Sequence, residues 1–148
     1  FFLGTVGGLN AIPQIFRVTM VLTNLIPLEY ISFHPQDLVI PKKLWFQNEN
    51  RFLTFEEIHQ LGLATALTSD KYRILGMEPV ENTPEEIKAV VIEMDERLKG
   101  NWLTTEEDEE LQRKYWSFYP PDHVCSQSEY SRSRIGTEFL RQNRELLV

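Results

Sequence analysis

The chain has 148 residues, 42% hydrophobic and 25% charged, with a formal net charge of −7 and one cysteine. These values describe a single domain, 1–148, long enough to bury a core, and they exclude wholesale disorder. The acidic balance lacks the basic footprint of a nucleic-acid or anionic-lipid binder, and no stretch approaches the roughly 18 apolar residues of a membrane helix.

Taken in order, Phe1–Leu3 reads as the end of a buried strand, followed by a turn at Gly4–Gly8. A short helix runs through Ile15-Phe16, and a second strand covers Thr19–Thr23. An apolar run, a turn, a helix and another apolar run are the order of a β-α-β unit. That order predicts parallel strands with Leu3 beside Val21. Residues 25–52 are punctuated by Pro27, Pro35 and Pro41, with a short strand at Leu38–Ile40. Thr54 and Glu57 form a capping box opening a helix that Gly62 stops; another short helix spans Thr68 to Leu75. Met77–Glu81 reads as a strand, and Pro79 places it at a sheet edge. Thr83, Pro84 and Glu86 start the clearest helix, whose buried face is Ile87, Val90, Val91, Met94 and Leu98 and which Gly100 ends. Thr104 with Glu107 reads as a further capping box, opening an acidic helix that runs through Trp116. Tyr119-Pro120-Pro121 breaks that helix. Ser126–Ser133 reads as a mobile loop, and Ile135, Phe139 and Leu146 as a terminal helix. The expected fold is α/β with helices dominating the C-terminal half.

Candidate chemistry begins at the first turn. Gly4, Gly7 and Gly8 allow close backbone approach to a ligand, and Thr5 and Asn10 offer polar side chains. The dinucleotide spacing Gly-x-Gly-x-x-Gly is absent, as is a Walker lysine. The same residues also describe a strand-to-helix turn with no ligand. Thr23 and Asn24 close the second strand, on the edge where open α/β proteins hold ligands, and they equally suit a cap of the next turn. His34, His59 and His123 lack metal-ligand spacing, and Asp122-His123-x-Cys125 would need a distant fourth ligand, so no metal site is expected. A lone Cys125 excludes an internal disulfide and fits a reducing, cytoplasmic compartment. Arg132, Arg134, Arg141 and Arg144 form a basic cluster that either grips a phosphate or pairs with acids such as Glu138 or Glu145. Trp45, Phe46, Trp102, Tyr115 and Trp116 read as anchors of helices to the core. No nucleophile elbow or Cys/His nucleophile setting occurs, and no catalytic residue is assigned.

A series of blocks carries a family resemblance. Gly4-Thr5-x-Gly7-Gly8-Leu9-x-Ala11-Ile12-Pro13-x-Ile15-Phe16-Arg17 precedes Thr23-Asn24-x-x-Pro27-Leu28 and Pro41-Lys42-Lys43-Leu44-Trp45. Arg51-Phe52-Leu53-Thr54-Phe55, Glu81-Asn82-Thr83-Pro84-Glu85-Glu86 and Ile135-Gly136-x-Glu138-Phe139-Leu140 follow. Together they resemble the closing part of a bacterial glycosyltransferase family associated with surface-carbohydrate gene clusters. The sequence departs from that pattern at Val6, where a polar or acidic residue is expected, and at Thr19, where a proline is usual. The resemblance implies the C-terminal half of a GT-B architecture, a partial Rossmann-like parallel sheet holding a nucleotide-sugar substrate. It implies no further cofactor. It places the donor diphosphate at Gly4, Thr5, Gly7, Gly8 and Asn10; Thr23 and Asn24 lie on the neighbouring sheet edge.

The first residue is not Met and the first strand has no lead-in. The chain is therefore expected to be a piece of a longer enzyme, inactive alone, and the resemblance implies that a missing N-terminal domain supplies the catalytic base. Exposed strand edges predict a homodimer. A sugar-nucleotide epimerase of the same fold, and a non-catalytic interaction domain, stand as alternatives.

Overall fold

A computed structural model describes residues 1–30, 34–66, 68–121, 123 and 132–148. The fold is mixed α/β, built on two sheets. One is parallel, with β1 (Phe2–Thr5), β2 (Met20–Leu25), β3 (Leu38–Pro41) and β7 (Arg134–Ile135) in that spatial order. The other is antiparallel, with β4 (Lys43–Phe46) between β5 (Arg51–Phe52) and β6 (Met77–Val80).

The opening unit is the predicted parallel crossover. Leu3 pairs with Val21 across β1 and β2, and the helix α1 (Ala11–Ile15) joins them. One expectation is corrected: β1 is not a buried strand. It lies at the sheet edge, alternates between half-buried and exposed residues, and leaves Leu3 47% exposed. Gly4 belongs to this strand, so the turn starts later, at Val6-Gly7. By contrast β2 is central and nearly all buried, as a parallel strand covered on both faces must be.

Helices α2 (Phe55–Gln60), α4 (Pro84–Leu98) and α5 (Glu106–Ser117) open on capping boxes, and α3 (Ser69–Ile74) and α6 (Thr137–Gln142) open without a side-chain cap. Thr54 with Glu57, and Thr83 with Glu86, form the expected capping boxes. For α5 the box is Thr105 with Asp108, one residue beyond the predicted Thr104 and Glu107. Tertiary pairing selects that register, because Asp108 is buried and held by Arg141 at 2.8 and 2.9 Å. After α4, Gly100 takes the left-handed conformation (φ +75°) that ends a helix without a Cβ penalty.

On α4, Val90 and Met94 are buried as expected and Ile87 and Val91 are half-buried, but Leu98 is 55% exposed. Glu86 and Glu93 are buried on this helix instead. The predicted terminal helix is also corrected. Ile135 lies in β7, Phe139 in α6, and Leu146 in a 3-10 turn, Arg144–Leu147. Gly136 makes the link: a Cβ there would stand 2.8 Å from Ile40 Cγ2, so only glycine lets β7 and α6 come this close to β3. Of the expected loop, Ser126 to Ser131 lie outside the described residues, as do Asp122 and Cys125; Ser133 is fully buried.

The core combines β2, β3 and β7 with Phe55, Ile58, Met94, Tyr115 and Phe139. Phe55 meets Tyr115 edge-on at 4.9 Å, and Trp45 meets Phe52 at 5.0 Å. Outside it, Leu9, Ile15 and Phe16 are 74%, 75% and 73% exposed, so the crossover helix buries little of its apolar surface.

Candidate functional site

Strands β1, β2 and β3 run parallel, so their carboxyl ends share one sheet edge. There β1 ends at Thr5, directly beside Thr23, and Thr23 Oγ1 donates to the Gly4 carbonyl at 3.4 Å. Beyond Thr5 the chain turns through Gly7 into a 3-10 turn, Gly8–Asn10, closed by Asn10 N–H donating to the Gly7 carbonyl at 3.2 Å. Gly7 and Gly8 are exposed, and no heavy atom lies within 4 Å of the place where a Cβ would stand. Neither this turn nor α1 has an acidic residue in its first turn or a side-chain cap. Gly4 and Thr5 thus pair with Leu22 and Thr23, Gly7, Gly8 and Asn10 follow in the turn beyond Thr5, and Asn24 follows Thr23 on β2.

Asn24 stands here for a structural reason. It adopts a positive φ of 55°, which asparagine tolerates better than most residues, where the β2–β3 register shifts. Its N–H donates to Asn82 Oδ1 at 2.6 Å, and Asn82 N–H donates to Asn24 Oδ1 at 2.6 Å. Asn82 Nδ2 then donates to the Pro41 carbonyl at 2.8 Å. One buried asparagine thus ties the ends of β2 and β3 to the start of α4. Sequence reasoning missed that role for Asn82; its signal is a polar residue immediately before a capping box.

Lys43, Glu86 and Asn143 form a second unpredicted group beside it. Lys43 Nζ donates to Glu86 Oε1 at 2.8 Å and to Asn143 Oδ1 at 3.3 Å. Burial alone would raise the Glu86 carboxyl, but Lys43 and the Thr83 N–H hold it below the usual range. The first turn of α4 also carries Glu85, so its N–H groups and dipole are already answered by carboxylates. Of the two helix starts at this edge, the glycine turn is the one left open to an anion.

The basic cluster lies elsewhere, and Arg134, Arg141 and Arg144 of it are held in ion pairs. Arg141 binds Asp108 and lies 3.6 Å from Glu138, Arg144 binds Glu107 at 2.6 Å, and Arg134 binds Glu109 at 2.7 Å. Pairing is as expected, though α5 rather than Glu145 supplies most of the acids. His59 and His123 flank Tyr119, with ring centroids 4.4 and 5.2 Å away, and His123 Nε2 lies 3.9 Å from Glu29. Burial, with His123 nearby, pushes the His59 imidazole down to about 4. His34 lies 3.6 Å from Asp37, which accepts the Met20 N–H. Among the described residues no group of three His, Cys, Asp or Glu is placed to hold a metal ion. Among the described residues no helix is long and apolar enough to cross a membrane.

Comparison of the chain with protein-family models, curated proteins and solved structures gives no match.

Proposed function

We propose that the chain supplies the donor-binding part of a nucleotide-sugar glycosyltransferase, its parallel sheet acting as a Rossmann-like donor domain of GT-B type. The sequence resemblance suggests the class, and one observation carries the reading to a site. The glycine turn at the carboxyl edge is exposed, clear of neighbouring atoms and free of acidic side chains. Backbone N–H groups in such a turn donate to a diphosphate, and they stabilise the charge that builds on it as the sugar departs, without a metal. Thr5 and Asn10 add polar side chains, while Thr23 and Asn24 hold the floor of the edge. A sugar-nucleotide epimerase would use the same turn; product analysis separates the two activities.

The test is calorimetric titration with uridine diphosphate. Gly8→Val should fold normally, since open space surrounds that position, and should abolish binding. Affinity unchanged by Gly8→Val removes the turn from the site.

A second reading has its own observation. Leu9, Ile15 and Phe16 are exposed beside the open edge of β1, which suits an interaction surface taken by a second copy of the chain. Sedimentation equilibrium decides it: a dimer that Phe16→Asp dissociates supports the surface, and a monomer at every concentration excludes it.

A further inference from the structure

Arg134 pairs with Leu38 where β7 and β3 begin, so Ser133 and Arg134 lie at the amino edge of the parallel sheet, opposite the glycine turn. Ser133 is fully buried, and its hydroxyl has no hydrogen-bond partner among the described residues. The terminal nitrogens of Arg134 bond Glu109 at 3.3 and 2.7 Å, but its buried Nε has no partner among them. Both residues line a cavity of about 40 Å³ together with Arg113, Trp116 and Arg132. Arg113, Trp116 and Arg132 also border a wider cleft of about 250 Å³.

Burying a hydroxyl and a guanidinium N–H without acceptors is costly, so two such groups in the wall of one cavity mark the place of a missing acceptor. Among the described residues, Arg113 and Arg134 against the single Glu109 carboxylate leave positive charge at the cleft in a chain of net charge −7. A cation would meet that field unfavourably, and a neutral apolar group would leave both donors unpaired. An oxyanion satisfies the donors and the charge together, and guanidinium groups match its geometry.

We propose that this cleft binds an oxyanion, a phosphate or carboxylate group, against Ser133 and Arg134. The wider cleft admits the remainder of the molecule that carries the group. This site is independent of the donor reading, because it uses the opposite sheet edge and none of the same residues.

Calorimetric titration with inorganic phosphate and with acetate, in chloride buffer, tests it. Saturable binding is expected, weakened about tenfold by Ser133→Ala and by a smaller factor by Arg113→Gln. The Tm of Ser133→Ala without added anion should be unchanged or raised, since that substitution removes no hydrogen bond; Arg113 is exposed, so its variant folds in any case. Tighter phosphate than acetate assigns a phosphate-bearing ligand, and the reverse assigns a carboxylate. No saturable binding of either ion overturns the proposal, as does affinity unchanged in both variants. Binding that survives both variants but is lost in Gly8→Val belongs to the glycine turn and overturns it equally.

Discussion

Residues 1–18 leave apolar side chains in solvent, whereas the starts of α4, α5 and α6 meet buried carboxylates, and the contrast explains how each region is held. Each of those three helices begins on a buried acid that also meets a cation. Glu86 takes the Thr83 N–H and Lys43; Asp108 takes the Thr105 N–H and Arg141. Glu93 accepts the Thr137 N–H at 2.7 Å and Thr137 Oγ1 at 2.9 Å, and pairs with Arg97 at 2.8 Å. Every one of these helix starts is thereby answered from within the fold. At α1 the start has neither a side-chain cap nor an acid, and its glycines face solvent. A helix start satisfied internally is a joint; one left open can serve a ligand.

The comparison is broken or sharpened first in the core behind the joints. Phe55 is buried against Tyr115, so Phe55→Ala should cost about 3–5 kcal/mol in urea unfolding. A cost below about 1 kcal/mol would mean that the helical frame is not one cooperative unit with the sheet. Next comes the joint itself. Glu93→Ala strands the Thr137 N–H and hydroxyl and leaves Arg97 unpaired, and should cost about 2–4 kcal/mol by the same measurement. If it costs no more than an exposed substitution, the buried carboxylates are bystanders.

A smaller effect appears in pH dependence. Folding holds His59 near 4 against about 6.5 in the unfolded chain, so between those values the unfolded state binds more protons. Stability should therefore fall as pH drops from about 6.5 to about 4, and His59→Gln should flatten that slope in urea midpoints. An unchanged slope would place the imidazole in solvent. Smallest of all is the effect in the opening unit: Phe16 is 73% exposed, and Phe16→Ala should shift unfolding by less than about 0.5 kcal/mol. A larger loss would show that the crossover helix is packed as firmly as the C-terminal frame.

Local order carries most of what the sequence reveals. The capping boxes at Thr54 and Thr83 and the edge position of Pro79 follow from residues a few positions apart, and the β-α-β unit with its Leu3–Val21 pairing from one uninterrupted stretch of chain. The glycine turn is legible for the same reason, since its residues are contiguous. Strands β5 and β7 are not, because two residues are too few to display a period of two. Nor does periodicity announce Glu86 or Glu93 as core: each is buried only because Lys43, or Thr137 and Arg97, arrive to satisfy it. The pair Asn24 and Asn82 lies 58 residues apart, and only the folded chain brings their amides within 2.6 Å. Sequence by itself determined the starts of α2 and α4, because their capping boxes depend on neighbouring residues. Tertiary structure alone decided which polar groups go inside, because a buried charge or amide is tolerated only once a distant partner pays for its lost water.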